Sequence, residues 1–173
     1  GTWNKDNIII YDPDYRDTLW KISAAGGTPA RLTKFEGGHT THRWPQSLPD
    51  GKHFLFFATS HTGDTEHGVY YGSLEDGSYK RVLESDSGAQ YASGYLLYHL
   101  QSQLLAQKFD PAVGTVSGDP VTLANLVEQD TGTWHTSFSA SQNGMLVYEP
   151  GSKTLGSDLL WMDRTRKDLG RVA

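Results

Sequence analysis

The chain has 173 residues and a mass of 19.1 kDa, the size of one domain or of a piece of a larger one. Fifteen Lys and Arg stand against 20 Asp and Glu, a formal net charge of −5 without a basic block, which argues against a nucleic-acid surface. There is no cysteine, so disulfides, zinc–thiolate sites, iron–sulfur clusters and thiol catalysis are excluded; no apolar run approaches the ~18 residues of a membrane span, and no signal-peptide pattern opens the chain.

Nineteen Gly, seven Pro and twenty aromatic residues (nine Tyr, six Phe, five Trp) favour short strands joined by tight turns. No stretch carries apolar residues at helical spacing over three turns between breakers. In chain order, the first predicted strand is the stub Gly1-Thr2-Trp3. The turn Lys5-Asp6-Asn7 then leads into the apolar run 8–11, followed by strands at 19–22 and 30–33. A second set comprises 43–48, the turn Pro49-Asp50-Gly51, the run 54–57, then 69–72 and 79–83. In the third set the turn is Ser93-Gly94, shorter than a Pro-Asp-Gly phrase, and the strands fall at 95–98, 104–107 and 120–123. The fourth set has a strand at 135–139, the turn Gln142-Asn143-Gly144, then strands at 145–148, 159–162 and 169–172. Asp-Gly and Asn-Gly adopt positive φ cheaply, which suits them to hairpins.

The residues that follow the four turns are 8, 52, 95 and 145, so the pattern repeats every 43 to 50 residues. Each unit reads strand, tight turn, strand, loop, strand, turn, strand. Four strands in about 45 residues is the unit of a β-propeller blade. A twisted four-stranded sheet cannot bury both of its faces alone, and its neighbours around the ring do so. An ordinary β-sandwich is the competing fold. The joint recurrence of turn and strand phrases favours an all-β propeller of about four blades, with repeats at approximately 1–36, 37–86, 87–128 and 129–173.

The phrases His42-Arg43-Trp44-Pro45-Gln46 and Leu48-Pro49-Asp50-Gly51-Lys52 resemble the TolB-like (WD-like) propeller repeat. Gly68-Val69-Tyr70-Tyr71-Gly72-Ser73-Leu74 with Lys80-Arg81-Val82-Leu83, and Leu160-Trp161-Met162-Asp163-Arg164 with Leu169-Gly170, fit the last two strands of such a blade. The likeness covers nearly the whole chain and is nearest to propellers appended to bacterial Ser/Thr protein kinases. Such repeats lie C-terminal to the kinase, usually beyond a membrane span, which implies an extracytoplasmic location. Related propellers serve as protein-binding platforms, as gates of prolyl oligopeptidase-like enzymes and as sugar- or peptide-facing modules. TolB-like rings have six blades, so about four imply a partial ring resembling the C-terminal part of a propeller. Open blade faces and edges favour association, and a homodimer through them is expected.

The chemistry-bearing motifs are sparse. No G-x-S-x-G phrase exists, so a nucleophile elbow is absent. His39-x-x-His42 lacks a third metal ligand and, in an extended segment, would put its two rings on opposite sides; His61 and His67 flank the turn 62–66. The acidic run 12–17 departs from a calcium-loop pattern, and Gly26-Gly27 and Gly37-Gly38 are not phosphate loops. Arg164, Arg166 and Lys167 alternate with Asp163 and Asp168, as in a solvated turn. No catalytic residue, metal site or cofactor is therefore expected.

The binding candidates are the aromatic and basic residues where inner strands begin: His39, His42, Arg43 and Trp44, then Tyr91, then Trp134 and His135. In a propeller, such positions converge from several blades onto one funnel, and aromatic residues with Arg are the composition of interaction hot spots. The competing reading is that Trp44 and Trp134 fill space between blades. The expected function is a non-enzymatic binding or sensing module of a larger bacterial protein, with a protein or peptide ligand. The alternative is the gating propeller of a hydrolase whose catalytic domain lies outside the chain.

Overall fold

The computed structural model describes residues 1–63, 66–151, 160–165 and 167–171. Parts of three expected features, the turn at 62–66, the strand at 159–162 and the strand at 169–172, lie outside these residues, as does Arg166. No helix occurs among the described residues, and their strands form four meandering four-stranded antiparallel sheets and one two-stranded hairpin. Blade 1 is β1 (Thr2–Trp3), β2 (Ile8–Tyr11), β3 (Trp20–Ser23) and β4 (Ala30–Arg31). Blade 2 is β5 (Thr41–Ser47), β6 (His53–Thr59), β7 (Gly68–Ser73) and β8 (Tyr79–Leu83). Blade 3 is β9 (Gln90–Ala92), β10 (Tyr95–Leu100), β11 (Gln103–Asp110) and β12 (Thr115–Asn125). A small hairpin of β13 (Gln129–Asp130) and β14 (His135–Thr136) precedes blade 4, which is β15 (Phe138–Ala140), β16 (Leu146–Tyr148), β17 (Leu160–Met162) and β18 (Asp168–Arg171).

Side chains alternate along a strand, so a blade buried on both faces needs a continuous apolar run. β6 shows this. Phe54, Phe56 and Ala58 pack with Tyr70 against Ile10, Leu19 and Leu32 of blade 1. Between them, Leu55 joins Leu48, Val69 and Tyr71 in a core with Ala89, Leu96, Tyr98, Leu105 and Phe109 of blade 3. A third core sets Leu97, Leu104, Ala106 and Ala124 against Phe138 of blade 4. The other face of blade 1 stays open: Trp3 pairs with Ile9, which pairs with Ile22, and Trp3 is 63% exposed.

Two turns show how sequence sets register. Leu48 N–H donates to the His53 carbonyl across Pro49-Asp50-Gly51-Lys52, whereas Ala92 pairs with Tyr95 across only two residues. Ser93 and Gly94 have φ of 53° and 85°, the doubly positive pattern that twists with its strands. Two expected strands differ. The segment 135–139 is not one strand: β14 pairs with β13, and β15 begins a new ladder with β16. The strand expected at 120–123 is an eleven-residue edge with register shifts, where Pro120 is tolerated.

Candidate functional site

The inner strands of the four blades converge on a cavity of about 380 Å³. Its wall includes Thr2, Trp44, Gln46, Gln90, Trp134 and His135, and no Asp, Glu, Lys or Arg. An inner strand is the edge of its sheet, so its outward backbone groups need partners. Glutamines supply them. The Gln46 carboxamide accepts from Tyr91 N–H at 2.6 Å and donates to the Tyr91 carbonyl at 3.5 Å. Gln90 accepts from Ala140 N–H at 2.8 Å and donates to the Phe138 carbonyl at 3.3 Å. Thr2 Oγ1 accepts from Ser47 N–H at 3.2 Å. Each blade thus clasps the next one at the cavity wall.

Trp44 and Trp134 have φ of 53° and 52°. A bulky residue in this left-handed region is strained by roughly 1–3 kcal/mol. Trp44 sits where the β5–β6 register slips between Arg43 and Gln46. Its indole N–H donates to the Thr133 carbonyl at 3.1 Å, and its ring meets that of His135 with centroids 4.8 Å apart. Gly88 is required opposite, because a Cβ there would lie 2.5 Å from the Cβ of Trp44.

Arg43 anchors the β13–β14 hairpin. It is 5% exposed; Nε donates to Thr41 Oγ1 at 2.8 Å, Nη2 to the Tyr15 carbonyl at 2.8 Å and Nη1 to the Thr133 carbonyl at 3.2 Å. The guanidinium carbon lies 5.0 Å from the Trp134 ring centroid, a cation–π contact, and His61 meets the same indole edge-on at 5.0 Å. Burial, then the positive charges of Arg43 and Arg16, hold the His61 pKa below its ordinary value. One residue therefore ties a loop of blade 1, the inner strand of blade 2 and the hairpin before blade 4.

Of the seven sequence candidates, Trp44, Trp134 and His135 line the cavity, and Arg43 buttresses Trp134 from behind. Tyr91 contributes its backbone to the Gln46 clasp, while its ring packs on Phe109 between blades. His42 is fully buried between blades 1 and 2, its Nδ1 2.8 Å from Thr33 Oγ1, with Phe35, Phe56 and Tyr79 around the ring. This corrects the funnel placement of His42: the ring fills a core. Burial first, then His39, lowers its pKa to about 3. His39 is likewise away from the cavity. It lies before β5 rather than in an extended strand, so its ring meets that of His42 at 5.6 Å instead of facing the opposite side. Its Nε2 lies 3.1 Å from both the Tyr70 hydroxyl and the Glu66 carbonyl.

Gln46, Gln90, Thr133 and Tyr15 were not singled out by type. The glutamines had a signal, since they stand one repeat period apart in sequence. Thr133 and Tyr15 act through carbonyls, which leave no mark on residue identity. Among the described residues, no group of three or more His, Cys, Asp or Glu is placed to hold a metal ion.

No family model and no curated protein matches the chain. Its likenesses are to solved structures. The calcium-binding protein regucalcin from Agrobacterium tumefaciens aligns at TM-score 0.63 and 12% identity, over 98% of this chain and 57% of that one. TolB from Acinetobacter baumannii aligns at TM-score 0.60 and 18% identity, over 95% and 40%. An oligogalacturonate lyase in complex with manganese aligns at TM-score 0.57 and 11% identity, over 91% and 45%. The chain thus spans roughly half the length of these neighbours. Together with the four meandering sheets, they establish the fold as an all-β partial propeller.

Proposed function

We propose that the chain is a non-catalytic binding module of a larger protein and that it captures its ligand in the central cavity. The observation that carries this reading is the pair Trp44 and Trp134, both held at positive φ and both on the cavity wall. Strain in bulky residues persists only where surrounding structure enforces it, and it concentrates at functional sites. The enforcing contacts are Arg43 on the Thr133 carbonyl and on the Trp134 ring. A wall with indole, imidazole and hydroxyl groups suits recognition without covalent chemistry. The resemblance to kinase-appended propellers supports a sensing role and an extracytoplasmic setting for the parent protein.

A thermal-shift screen of peptides, saccharides, nucleotides and organic acids tests this. A cavity ligand at a hundred times its Kd stabilises the fold by about 2.7 kcal/mol. That stabilisation is expected to vanish in the variant His135→Ala and in Trp134→Ala. A screen without hits, hits that survive both substitutions, or conversion of a hit to product would each overturn the proposal.

A further inference from the structure

The chemistry of the cavity wall narrows the ligand class. This step rests on the reading of the cavity as the binding site. We infer that the cavity takes an uncharged, hydroxyl-bearing ring the size of a mono- or disaccharide.

Three observations converge. First, the lining contains no carboxylate, ammonium or guanidinium side chain. An ionic ligand entering it would lose hydration without gaining a counter-charge from any lining carboxylate, ammonium or guanidinium side chain; the α-amino group of Gly1 is the one such charge at the wall. The nearby guanidinium of Arg43 is already spent on Thr41, Tyr15, Thr133 and the Trp134 ring.

Second, the volume of about 380 Å³ is at the small end of the roughly 300–1,000 Å³ typical of small-molecule pockets. That volume matches one or two rings. A peptide could enter only by adding to an inner strand edge, the recurrent mode for extended chains. The glutamine clasps occupy that edge: Tyr91 N–H and carbonyl are taken by Gln46, and the Phe138 carbonyl and Ala140 N–H by Gln90. This moves the expected ligand from a peptide to a compact molecule.

Third, rings and hydrogen-bonding groups share the wall: Trp44, Trp134 and His135 with Ser139, and with Thr2 and Ser87, whose hydroxyls also bond the Ser47 N–H and the Gly88 carbonyl. A purely aromatic ligand would leave the Ser139 hydroxyl and the remaining capacity of the Thr2 and Ser87 hydroxyls facing apolar surface. A pyranose has C–H faces for the indoles and a rim of hydroxyls for the polar groups, so it satisfies both.

The test is saturation-transfer NMR on the chain with maltose, cellobiose and lactose as neutral probes, galacturonate and glucosamine as charged ones, and triglycine as the peptide. The expected result is transfer to at least one neutral disaccharide, with affinity at least tenfold above either charged sugar. Trp134→Ala should weaken that binding at least tenfold, and Trp134→Tyr, which keeps a ring, should restore most of it. Circular dichroism of each variant separates lost contact from lost fold. Equal or tighter binding of a charged sugar overturns the inference, as does absence of transfer to every neutral probe. Transfer to triglycine alone, abolished by Trp134→Ala, overturns the saccharide class while leaving the cavity as the site. Saccharide transfer indifferent to Trp134 overturns both.

Discussion

Acidification should unfold this protein in a way that one buried ring controls. His42 has no exposed surface, and burial with a neighbouring His39 lowers its pKa from 6.5 to about 3. Its folded ring is neutral where the unfolded ring already binds a proton. Stability is therefore full above about pH 7.5, declines as pH falls through 6.5, and stops declining once pH is below 3. Linkage between those two values gives a loss of about 2 kcal/mol at pH 5 and about 3 kcal/mol at pH 4. The variant His42→Phe keeps a ring among Phe35, Phe56 and Tyr79 but cannot titrate. It leaves Thr33 Oγ1 without its ring partner, a cost of about 1 kcal/mol at neutral pH. Urea melts at pH 7, 6, 5 and 4 and constant ionic strength should show two curves that cross, the variant weaker at pH 7 and stronger at pH 4. His39, His61 and His99 are also lowered by burial and add the same sign of slope to both proteins. Asp17 and Asp50, lowered by their hydrogen bonds against the opposing effect of burial, weaken both folds only below the ordinary carboxylate range. Parallel curves from pH 7 to pH 4 would refute the assignment of the acid slope to His42.

Replacing Arg43 by Leu strips donors from the Tyr15 and Thr133 carbonyls and removes the contact on Trp134; the expected loss is about 3 kcal/mol, with faster hydrogen exchange across 129–136. An exchange pattern unchanged in that hairpin would show that Arg43 does not anchor it. Gln46→Leu leaves the Tyr91 N–H unpaired, while the Tyr91 carbonyl keeps the Gln142 carboxamide at 3.0 Å; Gln90→Leu leaves both the Ala140 N–H and the Phe138 carbonyl unpaired, so each should cost about 1–3 kcal/mol as a lower urea midpoint at constant m. A shift within experimental error would mean that the inner edges find other partners.

The blade architecture was legible because its signals are local. Asp50-Gly51 and Ser93-Gly94 mark turns through φ preference, and the run at 54–57 is apolar without alternation because both faces of β6 are buried. The division of 135–139 was not legible. Thr136 and Phe138 look like one strand, but β14 is drawn off to pair with β13, a choice made by tertiary contacts at Arg43 and Trp44. His39 and His42 were misplaced for the same reason. Their position where an inner strand begins suggested the funnel, whereas His42 is buried with one hydrogen bond to Thr33 and a neutral ring. Trp44 and Trp134 were legible as aromatic candidates but not as strained ones, since nothing in a tryptophan favours positive φ.

That strain becomes intelligible from the clasps. If inner strands were free edges, Trp44 could relax by shifting β5 along the channel. Gln46, two residues on, is bonded to both backbone groups of Tyr91, and Ser47 N–H to Thr2, so β5 is fixed on two sides. Trp134 is fixed in turn, because Thr133 accepts from both Arg43 and Trp44. The rigidity that holds two indoles in costly conformations is thus supplied by neighbouring blades rather than by the tryptophans' own strands. Loosening a clasp should therefore alter ligand affinity at the cavity even though both carboxamides are already occupied by backbone.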